Sequence, residues 1–430
     1  MMPDDAQAYW LARKTRSDQF LLFVFDPIGV DVDDVVSELL LRADRIDDLN
    51  LVVRETFADF DYPYWDRARA RRDQFGRREQ RLNWRQCLDD VAGLIGDQLD
   101  PRQAAWRVHL YPDVDGAPDG RGPGSVAVLQ ISHALADGTR STALARQLFG
   151  VAELPPSSST DRERPIGIVS APVGGLLRLP SQLADLVTGG RRAYELSKRE
   201  PAGSPSSEAG PLNASPGNDR QLHVIVTTAR ALRIGTHSIT VGAIIAMSRA
   251  LVDAEILGAE QPFSVELTIA RDGPSLARNN FYNAAVDAHP SITDLNRRAA
   301  AVAASIDDAR RRDRSPAKVA SRAAAASTPA LLMHWGARAF DPTVRSPTVT
   351  GNTVVSSVNR GDADLRLGDG AVRFTTGFPA ISTMQGLTHG VHGIGGAVAI
   401  SVTTSRIVLP DVEGYLRKLE SHCGGEAFDA

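Results

Sequence analysis

The sequence predicts an α/β protein built as two similar-sized units, and three observations carry that expectation. Helix-type and strand-type patterns alternate through the first 150 residues, a stretch dense in Pro, Ser and Gly follows, and the alternation resumes after residue 220. At roughly 100 to 200 residues per domain, 430 residues suit two domains. With 43% hydrophobic and 23% charged residues the chain has an ordinary globular composition.

Taken in order, VDDVVSELLLRADRI (Val32 to Ile46) has helical spacing and SVAVLQIS (Ser125 to Ser132) reads as a strand. From Pro155 the chain runs through PPSSSTDRERP, an apolar segment from Val173 to Val187, and PAGSPSSEAGPLNASPGNDR up to Arg220. The apolar segment is expected as a connecting helix packed on the protein and interrupted at Pro180. The chain therefore divides into a first half, 1–154, a partly flexible crossover linker, 155–220, and a second half, 221–430. In the second half, His223 to Thr228 and Phe263 to Ile269 read as strands, with a helix from Thr240 to Leu257 between them. Asn296 to Ala326 is helical on propensity, and TVVSSV, AVRFTT and AVAISVTT supply strands near the end.

Several function classes drop out. The formal net charge is −4, and the only lysines are Lys14, Lys198, Lys318 and Lys418, so nucleic-acid binding is not expected. Cys87 and Cys423 are too few for a disulfide scaffold or a Cys₃ zinc site. The acidic start, Met-Met-Pro-Asp-Asp, does not resemble an export signal, and the longest mostly apolar stretch, Ile239 to Met247, is about half the ~20 residues of a spanning helix. A cytoplasmic protein without a membrane anchor is expected. No phosphate-binding G-x-x-x-x-G-K-[ST] loop occurs.

The stretch VAVLQISHALADGTRSTALARQLF, Val126 to Phe149, places a His and an Asp where a strand passes into a helix. Alternation puts Ala127, Leu129, Ile131 and His133 on one face, so His133 ends an apolar row where the strand opens into a loop. An imidazole is largely neutral at pH 7 and accepts a proton, as a general base must. Asp137 can lock the loop, pair with Arg140 or orient the imidazole, and Gly138 permits a tight backbone turn. The plainer alternative is a core histidine followed by a helix that Asp137 or Thr139 caps. Ser132 is not placed as a nucleophile, because its neighbour's side chain points the other way and no G-x-S-x-G elbow exists. Trp106 reads as a core residue. His389 and His392, in GLTHGVHGIGG, have a spacing that can serve a metal, but the glycines argue instead for a mobile loop lining the cleft.

With these residues in view, the sequence resembles the CoA-dependent acyltransferase superfamily with two chloramphenicol-acetyltransferase-like halves, and within it the bacterial wax ester synthase/diacylglycerol acyltransferase group. That group's His-His-x-x-x-Asp-Gly appears as Ser132-His133-Ala134-Leu135-Ala136-Asp137-Gly138. The Trp of its Pro-Leu-Trp element stands at Trp106 after Ala104-Ala105, and its Pro-Leu-Asn…Arg stretch is matched by Pro211-Leu212-Asn213 and Arg220. Its Thr-Val-Asn-Asp element appears as Thr240-Val241-Gly242-Ala243, and its Ser-Asn-Val-Pro-Gly strand is matched loosely by Ser356 to Gly361.

The resemblance implies two mixed sheets with flanking helices and a cleft or tunnel between the halves. It implies acyl transfer from acyl-CoA, or an acyl carrier protein, to a hydroxyl-bearing small molecule or lipid. His133 would be the base, Asp137 and Gly138 would hold its loop, and Ser356, Ser357 and Asn359 would be oxyanion or substrate-binding candidates. No cofactor or metal is implied, and peripheral contact with a membrane is compatible with such substrates. Ser132, Ala104 and Gly242 stand where the group has other residues, which keeps two alternatives open: a catalytically quiet module that binds acyl carriers or lipid, and an amide-forming enzyme of the condensation type.

Overall fold

The strand Gln19–Phe25 (QFLLFVF) is apolar on both faces, and all but its first residue are buried, which makes it a central strand. The computed structural model describes residues 1–152, 154, 171–200, 206–273 and 275–424, with 171–176 as backbone only. On one side Gln19–Phe25 pairs antiparallel with Gly124–Ile131, Leu21 opposite Leu129. Trp106–Asp115 follows, and then, parallel to it, the short strands Phe75–Arg77 and Leu82–Asn83. On its other side Gln19–Phe25 pairs with Gly370–Gly377, and beyond that lies Arg366–Leu367.

The second sheet runs Phe281–Asp287, Ser264–Ala270, Thr353–Asn359, Thr388–Ile394, Ala397–Thr404, Gln221–Thr228. The strand Thr353–Asn359 is parallel to both its neighbours, and the remaining pairs are antiparallel. Both sheets are thus mixed and flanked by helices, as expected. The helices Ile239–Asp253 and Val412–His422 cover the second sheet through Ile244, Leu251, Tyr415 and Leu419. Helix Trp84–Leu94 packs where the sheets meet, its Cys87, Leu88 and Val91 sharing a core with Leu22, Val128, Leu222 and Ala399.

The described residues depart from the expected division and elements at five places. Residues 366–377 do not stay in the second half, because two of their strands complete the first sheet. The end of the linker is also not a connection: Ser207–Glu208 pairs with Thr348–Val349, and buried Asn213 donates to the carbonyls of Gly351 and Met384. The connecting helix is continuous over Ala171–Ser197, with Pro180 inside it. Proline removes one donor and crowds one carbonyl, and the exposed surroundings of residues 177–183 let water satisfy that carbonyl. This helix lies on Pro316–Ala326, where a β-carbon on Gly189 would stand 2.9 Å from the Ala324 side chain. Residues 155–170 and 201–205 of the proposed linker lie outside the described residues. The helix expected over Asn296 to Ala326 is two, Leu295–Asp313 and Pro316–Ala326, because Ser315 caps the second and Pro316 takes its first position.

The last correction concerns GLTHGVHGIGG. It is a buried strand, Thr388–Ile394, in the middle of the second sheet, and not a mobile loop. Its glycines serve close packing: a β-carbon on Gly390 would lie 2.5 Å from the Gly377 carbonyl, across the contact between the two sheets. Among the described residues no helix is long and apolar enough to cross a membrane.

Candidate active site

The strand Gly124–Ile131 is buried along its whole length and stops at Ile131. Ala127, Leu129 and Ile131 pack in the first core with Trp106, whose indole donates to the Leu49 carbonyl, so Trp106 is the core residue expected. His133 does not continue that row. A turn closed by the Leu135 amide on the Ser132 carbonyl buries Ser132 and swings His133 into a cleft of about 780 Å³. The cleft is walled from both halves, by Gln19, His133 and Thr142 on one side and Thr268, Phe281 and Ser356 on the other.

The ring of His133 is held from the second half. Its Nδ1 lies 2.7 Å from Asn279 Oδ1, and its ring centroid is 5.4 Å from that of Phe281. The Asn279 amide nitrogen donates to the His133 carbonyl (2.8 Å) and to Asp5 Oδ1 (3.0 Å), both pure acceptors. The carboxamide oxygen must therefore face the ring, and Nδ1 must carry the proton that it accepts. Nε2 is left with its lone pair. Asp5 is buried and also accepts from the backbone amides of Arg278 and Asn279; burial raises its carboxyl above the usual range despite those bonds.

Asp137 does not touch the imidazole. It is the N-cap of helix Gly138–Phe149, one oxygen accepting from the Arg140 amide at 2.8 Å and the other from the Asn280 amide at 2.9 Å. It therefore joins the His133 loop to the 278–280 segment. Arg140 pairs with Asp48 (2.8 Å), which Arg278 also holds (2.8 Å). Burial works against the Asp48 carboxylate, but these two guanidinium groups keep it below the ordinary range. Gly138 has no unusual backbone angle, and a β-carbon there would meet only the Val358 side chain at an ordinary 3.4 Å, so the tight turn expected of this glycine is not what the structure uses it for.

All three oxyanion candidates, Ser356, Ser357 and Asn359, line the cleft, Ser356 in a row with Val354 and Val358. Ser357 shares a hydrogen bond with Thr240 (2.8 Å), and the Asn359 carboxamide accepts from the Gly361 amide. The two histidines of the Thr388–Ile394 strand face opposite ways. His389 bonds Tyr415 and Thr353 in the second core, where burial lowers it to about 3, while His392 lines the cleft. Among the described residues no three His, Cys, Asp or Glu side chains gather as a metal set.

Sequence reasoning missed Asp5, Asn279 and Asn280, because a loop 146 residues downstream of His133 carries no local sign of where it returns. The cleft also gathers Lys14, Arg16 and Arg220, none of which sequence reasoning placed at a site; burial and the nearby Arg16 depress Arg220.

No family model matches the chain, and no curated protein matches it by sequence. Solved structures do. The wax ester synthase/diacylglycerol acyltransferase from Marinobacter aquaeolei VT8 superposes with a TM-score of 0.58 at 16% identity, covering 98% of this chain and 97% of that one. TRI3 trichothecene 15-O-acetyltransferase from Fusarium sporotrichioides gives 0.57 at 14% identity, covering 97% and 93%. A starter condensation domain of rhizomide synthetase RzmA in complex with C8-CoA gives 0.55 at 13% identity, covering 99% and 94%. The chain thus has the two-lobed, chloramphenicol-acetyltransferase-like fold shared by CoA-dependent acyltransferases and condensation domains.

Proposed function

We propose that the protein is an acyltransferase that moves an acyl group from acyl-CoA, or an acyl carrier protein, to a hydroxyl acceptor. The observation that carries this reading is the tautomer-fixed His133, whose Nε2 lone pair is the free one, in a cleft with walls from both halves. Nε2 takes the acceptor's hydroxyl proton as the oxygen attacks the thioester carbonyl. The tetrahedral intermediate then expels the thiolate, which recovers the proton from the imidazolium. Positioned proton transfer of this kind contributes ~10²–10⁴-fold. The Ser356 hydroxyl is the side-chain donor proposed for the oxyanion. Lys14, Arg16 and Arg220 suit the phosphates of CoA or of a phosphopantetheine arm. Exposed Leu177, Val187 and Trp335 support peripheral contact with a lipid surface.

The test is a mass-spectrometric screen of acyl-CoAs of several chain lengths against mixed alcohols and amines, with His133→Ala as control. Esters should form, and the variant should lose at least about a hundredfold in turnover. Amide products would convert the reading to a condensation-type enzyme. Binding without turnover would leave a quiet carrier-binding module, and near-normal turnover by His133→Ala would remove His133 from the chemistry.

A further inference from the structure

Arg360 lies one residue beyond the strand Thr353–Asn359 and continues the row Val354, Ser356, Val358 on the cleft side. It is 3% exposed, yet among the described residues its guanidinium has a single hydrogen bond, from Nη1 to Thr142 Oγ1 at 3.2 Å. Its Nε is buried with no partner, and among the described residues no carboxylate pairs with it. Its face rests over Phe23, 5.5 Å from the ring centroid. His392 stands beside it, buried, with an unpartnered Nδ1. Arg360 Nη2, His392 Cε1 and the Phe20 carbonyl oxygen each come within 3.2 Å of where a β-carbon on Gly377 would be, so the guanidinium and the imidazole meet over the backbone of that glycine. Burial and the Arg360 charge hold His392 well below its ordinary range, so it is neutral and brings no second cation.

A buried cation with idle donors is costly unless an anion completes it. The planar fork of a guanidinium fits a carboxylate, and one cation balances one negative charge, whereas a pyrophosphate would leave excess charge in the cleft. The rim cations Lys14, Arg16 and Arg220 are separate from it and more exposed. Thr142, which holds Arg360, is about one helical turn, roughly 6 Å, from Gly138 at the His133 loop.

We propose that Arg360, with His392 beside it, receives a carboxylate carried by the acyl acceptor, so that the acceptor is a short hydroxy acid. Its hydroxyl faces His133 and its carboxylate docks on the guanidinium. This deepens the acyl-transfer reading and rests on it for the acceptor's role, but the binding itself can be measured without turnover.

The test uses the full chain, with 3-hydroxybutyrate and its methyl ester as probes in saturation-transfer NMR. The acid should bind at least about tenfold more tightly than the ester. R360Q should abolish that preference and R360K should restore part of it. Equal binding of acid and ester, or an acid preference that survives R360Q, overturns the proposal. If R360Q fails to fold by circular dichroism, the wild-type preference and R360K decide alone. KM is then compared for an acyl-CoA and the matching acyl-N-acetylcysteamine, which lacks phosphates. A rise confined to the CoA thioester in R360Q would assign Arg360 to the donor and overturn the acceptor site. Acid binding without any thiol release would sink the acyl-transfer reading and leave the anion site standing.

Discussion

In water the proton of a histidine ring moves between its two nitrogens, and at His133 a carboxamide from the other half of the molecule removes that freedom. In the proposed mechanism Asn279 is thus a positioning residue. Asn279→Ala should lower kcat about tenfold with little change in KM, because ring orientation matters most in the transition state. ¹⁵N NMR of the labelled imidazole should show the Nδ1–H form giving way to a mixture. A loss of melting temperature with an unchanged tautomer would reduce Asn279 to a structural part. At this scale the cap at Asp137 was legible from sequence because it is a local pattern, whereas the turn that takes His133 off the strand's row was not. Asp137 proved to be the lock of its loop and not a partner of the ring. Asn279 and Asp5 were not legible, since their role exists only once distant segments meet.

Among the elements, the strand Thr388–Ile394 shows how a correct physical rule can select the wrong state. Glycine does favour loops, but here Gly390 is small because another sheet's backbone presses on it. Gly390→Val should therefore destabilise the fold by about 1–3 kcal/mol through overpacking. Equilibrium urea denaturation would measure it, and an unchanged midpoint would mean that the sheets part without cost. Helix Gly138–Phe149 was legible because its apolar spacing and its Asp137 cap agree, and helix Ile239–Asp253 because its apolar run is long, although it ends four residues before the expected Leu257. The continuous helix through Pro180 was not, because the cost of a proline depends on whether solvent can reach the freed carbonyl.

For the molecule as a whole, the two-half plan was legible from alternating patterns, but the exchange of 366–377 was not. An apolar strand pattern such as AVRFTT says that a strand is buried and does not say in which sheet. The strand Gly370–Gly377 is hydrogen-bonded to Gln19–Phe25 along most of its length, so the halves are joined by a sheet ladder as well as by the chain. A chain opened between Glu200 and Ser206 should therefore run as one species in gel filtration and keep its activity. Residues 1–200 alone should be inactive and prone to self-association through the unpaired edge of Gln19–Phe25. Ready separation of the opened pieces would contradict this arrangement.

The same ladder also orders events on the ribosome. Apart from Arg366–Leu367 and Gly370–Gly377, the strands of the first sheet have all been made by Ile131, but the second partner of Gln19–Phe25 is complete only at Gly377. At ~5–20 residues per second that edge waits roughly 10 to 50 s after its neighbour Gly124–Ile131 has emerged. Nascent chains arrested near residue 200 should thus remain open to protease in the first sheet, and protection should appear only once arrest lies far enough past Gly377 for that strand to clear the exit tunnel.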